Sequence, residues 1–229
     1  MGSPIKTRVF ALSGLLPIAY LALNGTDTML LGYSLFVATW LLNKGEGRAL
    51  FGFVLLYWGA GLVTEVLAWL SDYLAGAPFP TTFHPQLLPD LIIALGFYGG
   101  MAVAWGLVLW RFRFSLLAVF ITGGIYGVAI EQDGAVLMMV LTILSENPLA
   151  GLILAAYVFV VYGSVPALAF TPFRRRLSDT ARAGHWIKYP LVLAGLYLFS
   201  NIGVWLIIAA TEVLGGLPLP RSAQLFPLW

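Results

Sequence analysis

The chain contains no cysteine, two histidines and few charged residues. Only 10 % of its 229 residues are Asp, Glu, Lys or Arg, and 60 % are hydrophobic, whereas about 25% charged residues is usual in a soluble domain. Without cysteine there is no disulfide framework and no thiolate-ligated metal centre. The small polar content also excludes a soluble enzyme and a disordered segment. We therefore expect an all-α integral membrane protein, with the lipid bilayer and no nucleic acid as its partner.

Long apolar runs occupy most of the chain. A helix needs roughly 20 apolar residues to cross a hydrocarbon core of about 30 Å. Divided at clusters of Lys, Arg, Pro and Gly, the runs predict seven spans within one polytopic domain over residues 1 to 229. The spans are Arg8 to Asn24, Thr28 to Asn43, Leu50 to Ser71, Leu88 to Trp110, Phe114 to Ile130, Pro148 to Phe170, and Pro190 to Leu214.

The distribution of Lys and Arg predicts the orientation. With seven spans and the N-terminus inside, eleven of the twelve basic residues fall on the inner side, and only Arg221 lies outside with the C-terminus. Basic residues are enriched in cytoplasmic loops, so we expect the plasma membrane of a prokaryote. The early basic residues Lys6 and Arg8 also resemble the start of a signal peptide, but Ala22-Leu23-Asn24 is a poor cleavage site.

The apolar segment from 134 to 145 is too short to be an eighth span, which would also place the cluster Arg174 to Arg176 on the outer side. It re-enters the membrane, lies in the interface or extends the fifth helix. Asn147 followed by Pro148 is typical of a helix start, with an N-cap and a proline in the first turn. Gly96 and Gly100, four residues apart, are typical of close helix packing in lipid.

Of the acidic residues that lie in or beside the predicted spans, three are candidates for a function: Glu65, Glu131 and Asp90. Glu65 and Glu131 lie near the C-terminal ends of their helices, where the helix dipole disfavours a carboxylate. Each therefore needs water, a proton or a partner. Glu212 has the same relation to the last span. Asp90 lies in the first turn of its helix, where the dipole favours an acid, so a helix-start role is the simpler interpretation there.

His84 lies in the longest outer connection, which four prolines stiffen. It is a candidate proton carrier or a ligand beside a carboxylate; the simpler alternative is a surface or capping residue. One outer histidine without cysteine does not make a zinc site, and no motif indicates a cofactor. Several aromatic residues lie within the spans and are candidates to wall a pocket for an apolar molecule. They are Trp58, Trp105, Trp205, Tyr57, Tyr98, Tyr126 and Tyr197.

A membrane glutamate at Glu65, followed by the Pro78-Phe79 loop and further acids, resembles membrane proteins of carotenoid biosynthesis over residues 65 to 79 only, and no family is assigned. The resemblance implies a lipid-soluble substrate. We expect a multi-pass membrane protein that binds or modifies an isoprenoid or carotenoid-like molecule at an outer-leaflet acidic site. Glu65 and Glu131 would be its acid or base groups, with Asp90 or His84 as the partner. Two alternatives remain: a proton-coupled permease, and an assembly subunit without catalysis.

Overall fold

Every regular element of the described chain is helical. A computed structural model describes residues 4 to 47, 50 to 77, 82 to 175, 177 and 186 to 215. The basic residues Arg176 and Arg221 and the Pro78-Phe79 loop lie outside this part. The α-helices are α1 Pro4–Ser13, α2 Leu16–Asn24, α3 Leu31–Leu42, α4 Leu50–Ala75, α5 Leu87–Arg111, α6 Leu116–Ala129, α7 Ala135–Glu146, α8 Pro148–Phe170 and α9 Lys188–Gly215.

The structure supports five or six of the seven predicted membrane-crossing helices. Among the described residues, five helical segments are long and apolar enough to cross a membrane, and the pair α6 and α7 makes a sixth if it is one span. The predicted second span is shorter than expected. Helix α3 has twelve residues, about 18 Å at 1.5 Å per residue, because its N-terminal end starts three residues later than predicted. The apolar helices are consistent with an integral membrane protein.

The segment after the predicted fifth span is a helix that continues the chain at an angle. Helices α6 and α7 are bent by 53° at the turn Glu131–Gly134, where Gln132 and Asp133 adopt left-handed φ angles of 53° and 57°. Helix α8 then begins as predicted: Asn147 Oδ1 accepts the backbone N–H of Ala150 at 3.1 Å, and Pro148 occupies the first turn.

Helices α5 and α9 pack with their backbones in contact. A Cβ atom on Gly96 would overlap the backbone of Gly203, and one on Gly100 would overlap the carbonyl of Phe199. Small residues allow this approach in lipid. The large buried side chains Phe53, Trp105 and Phe170 fill the centre of the bundle beside this pair, while large apolar side chains on the outer faces of the helices are exposed.

Substituting Gly100 with Ala should therefore destabilise the protein. The added methyl must push α9 away from α5, and overpacking of this kind costs about 1–3 kcal/mol. Gly59→Ala is the matched control, since nothing lies within 4 Å of an added Cβ there and Ala is the better helix former by about 1 kcal/mol. Unfolding in detergent, followed by circular dichroism, measures both. Equal stability of the two variants would contradict the packing.

Candidate functional site

A cavity of about 550 Å³ lies among helices α4, α5, α7 and α8 and the Glu131 turn. Its walls are mainly apolar, and the half-exposed Met139 of α7 is at its rim. Two carboxyl groups, Glu65 and Glu131, and the Gln132 amide also line it. None of the described lining residues is Lys, Arg or His. Two threonines, Thr64 and Thr82, and four tyrosines also belong to the lining: Tyr57, Tyr98, Tyr157 and Tyr162.

Glu65 is buried in α4 and bonded to a tyrosine. The Tyr98 hydroxyl of α5 donates to Glu65 Oε2 at 2.9 Å. The ring of Tyr98 packs directly on Gly61, one turn before Glu65, where an added Cβ would overlap it. The glycine therefore sets the position of the hydroxyl relative to the carboxyl group.

Asp90 lies behind Glu65 and is completely buried. Its Oδ1 accepts the backbone N–H of His84 at 3.0 Å. The carboxyl groups of Glu65 and Asp90 interact with each other. Asp90 Oδ2 has no hydrogen-bond partner among the described residues, so it is the acceptor left for a proton on Glu65.

Glu131 forms a second acid and tyrosine pair across the cavity. Its carboxyl group interacts with the Tyr162 hydroxyl of α8, and the Tyr162 ring packs on Gly127, where an added Cβ would overlap it. The residue is only 5% exposed, and its Oε2 has no hydrogen-bond partner in the described part of the chain. The helix break at Gln132 and Asp133 presents this carboxyl group to the cavity.

His84 is buried and shapes the connection before α5. Its backbone N–H bonds to Asp90, and its Nδ1 accepts the N–H of Gln86 at 3.0 Å. Burial lowers the pKa of the imidazole, which keeps Nδ1 available as an acceptor. His84 thus supports Asp90 through the backbone and is not among the cavity-lining residues.

The structure brings Glu65, Asp90 and Glu131 to one region, and His84 adjoins it. The predicted Tyr57 and Tyr98 line the cavity, but the other aromatic candidates do not. Trp105 is buried in the bundle core, Tyr126 bonds to Ser200, and Trp58, Tyr197, Trp205 and Glu212 are exposed.

Sequence reasoning missed two tyrosines that contact the site. Tyr162 faces Glu131, and the Tyr157 hydroxyl donates to Asp27 Oδ1 at 2.8 Å beside the cavity. The sequence signal for both residues was a tyrosine in the middle of a predicted span. The contact of Tyr162 with Gly127 of α6 appears only in the structure. Helix α8 is apolar on every side, so its sequence does not indicate which rings face inward.

Among the described residues, no group of three or more acidic or histidine side chains could hold a metal ion. Comparisons with protein-family models, curated proteins and solved structures find no match for the chain. The candidate site therefore depends on its geometry alone.

Protonation of His84 should weaken the fold. Its pKa is lowered in the folded state from an ordinary value of about 6.5. The neutral imidazole therefore contributes stability above about pH 6.5 that is lost as the pH falls through the folded-state pKa. The variant His84→Asn keeps a side-chain atom that can accept the backbone N–H of Gln86. Unlike the imidazole, the amide does not titrate.

The measurement is the melting temperature of both proteins between pH 7.5 and 5. The wild type should lose stability relative to His84→Asn as the pH falls. Parallel curves would contradict the assigned role of the imidazole.

Proposed function

We propose that the chain is a multi-pass membrane protein that binds a lipid-soluble, isoprenoid-like molecule in this cavity and exchanges a proton with it through Glu65. One observation carries the proposal: two buried carboxyl groups, Glu65 bonded to Tyr98 and Glu131 beside the Tyr162 hydroxyl, face a single cavity with mainly apolar walls. An acid confined to a nonpolar site is the arrangement that proton transfer to an apolar molecule requires.

The lining supports an apolar ligand. The volume lies in the range of small-molecule sites, about 300–1,000 Å³. Valine, leucine and methionine side chains from α7 and α8 form one wall, and the rings of Phe83 and Phe97 belong to another. Because Met139 is half exposed on the outer surface of α7, a molecule dissolved in lipid would reach the cavity from the side of the bundle.

Within the acid pair, Glu65 is the proton donor. Asp90 accepts the backbone N–H of His84 and lies in the first turn of α5, and both features stabilise a carboxylate. Two adjacent carboxyl groups in a nonpolar site do not both ionise. The proton therefore resides on Glu65, which faces the cavity, and Asp90 serves as its charged partner.

We also propose the seven-span arrangement with the N-terminus inside, in the plasma membrane of a prokaryote, counting α3 as a short span and α6 with α7 as one broken span. Glu65 lies fifteen residues after Leu50 and Glu131 fifteen residues after Leu116, the first residues of α4 and α6. At 1.5 Å per residue both are about 22 Å from the inner helix ends. With the N-terminus inside, these distances support an acidic cavity toward the outer leaflet.

A permease is less well supported than a binding site. Polar groups would have to continue from the cavity to the other face. Instead, the rings of Phe53, Trp105, Phe114 and Phe170 are buried together in the neighbouring core. A pure assembly subunit leaves the burial of three carboxyl groups unexplained, because such residues are costly within a membrane.

Filling the cavity should abolish binding. Val161 is buried on α8 and lines the cavity, so Val161→Trp should occupy it. The matched control is Leu152→Trp, at an exposed position of the same helix. A photoreactive isoprenoid hydrocarbon in lipid nanodiscs should label cavity residues of the wild type and the control but not of Val161→Trp. Equal, scattered labelling of lipid-facing surfaces in all three proteins would contradict the proposal.

A further inference from the structure

The unpartnered oxygen of Glu131 indicates a polar group on the ligand. We infer that the molecule bound in the cavity is a long-chain alcohol whose single hydroxyl group bonds to the Glu131 carboxyl group, with its apolar chain along α7 and α8. This inference rests on the proposed function, since it concerns the ligand of the same cavity. It goes further by assigning the chemical class of that ligand and the residue that recognises it.

Glu131 Oε2 is the unpartnered side-chain oxygen of a residue that lines the cavity. Glu131 is only 5% exposed. The Tyr162 hydroxyl is the side-chain group beside its carboxyl group. Buried polar atoms in folded proteins nearly always have a hydrogen-bond partner, and leaving one unpaired is costly. A ligand group is the partner that the cavity is built to receive.

The backbone around Glu131 supports a binding role. Gln132 and Asp133 adopt left-handed conformations that are unfavourable for residues other than glycine, and such conformations cluster at functional sites. The turn is held by the Tyr197 hydroxyl of α9, which donates to Asp133 Oδ1 at 2.8 Å. A straight helix would have continued past Glu131, so the break is what exposes its carboxyl group to the cavity.

A hydroxyl group fits this oxygen better than other polar groups. A carboxyl oxygen accepts a hydrogen bond, which a hydroxyl group can donate and an ether cannot. A ligand carboxylate or phosphate would be repelled by Glu65 and Glu131, and no described lining residue carries a positive charge to balance it. Beyond Glu131, the side chains of Val136, Met139 and Leu154 offer an apolar path for the chain.

Three matched probes test the inference: geranylgeraniol, its O-methyl ether and the corresponding hydrocarbon. Each competes with the photoreactive isoprenoid for the wild-type protein in nanodiscs. The alcohol should compete at about a tenfold lower concentration than the ether or the hydrocarbon, because one buried hydrogen bond is worth about 1.4 kcal/mol here. Glu131→Leu should abolish this preference. Glu131→Gln should keep it, because an amide also both donates and accepts, and Glu212→Leu is the exposed-acid control.

The outcomes distinguish a wrong ligand class from a wrong proposed function. Equal competition by all three probes at the wild-type cavity would overturn the inference and leave the proposed function in place. A preference for the alcohol that survives in Glu131→Leu would overturn the assignment to Glu131. No competition by any probe would overturn the proposed function as well. If Glu131→Leu does not fold, the wild-type comparison of alcohol and ether still decides whether the ligand hydroxyl is recognised.

Discussion

The cost of burying a carboxyl group in a nonpolar environment governs the rest of this structure. Glu65, Asp90 and Glu131 are all nearly or completely buried, and each needs a partner that reduces that cost. The Tyr98 hydroxyl bonds to Glu65, the Tyr162 hydroxyl lies beside Glu131, and the backbone N–H of His84 bonds to Asp90. The positions of these acids therefore determine where tyrosines and the helix break must lie.

Glycines connect this requirement to the packing of the helices. Gly61 and Gly127 each lie under a tyrosine ring that contacts a carboxyl group, so the absence of a side chain at one residue positions the hydroxyl of another. Elsewhere, Gly96 and Gly100 bring α5 against α9, and α5 carries both Tyr98 and Asp90. In a bundle with few polar residues, close backbone contact holds the polar ones in register.

Sequence reasoning identified the three acids because helix direction and the helix dipole are readable from the order of basic and apolar residues. It could not identify Tyr162, since ring direction in the uniformly apolar α8 depends on Gly127 of another helix. The length of α3 was also overestimated, because apolar composition continues through the residues that precede Leu31. His84 contacts Asp90 through its backbone N–H, and its predicted role as a proton carrier or ligand stays a prediction.

Proton exchange into a bound isoprenoid tests the central claim most directly. The protein in nanodiscs is incubated with geranylgeraniol in heavy water, and mass spectrometry measures deuterium at the carbons of the double bonds. Transfer from Glu65 to an alkene carbon, followed by loss of a proton from the same cation, predicts deuterium incorporation by the wild type and by Glu212→Gln but not by Glu65→Gln. No incorporation by the wild type, or equal incorporation by Glu65→Gln, would contradict the account.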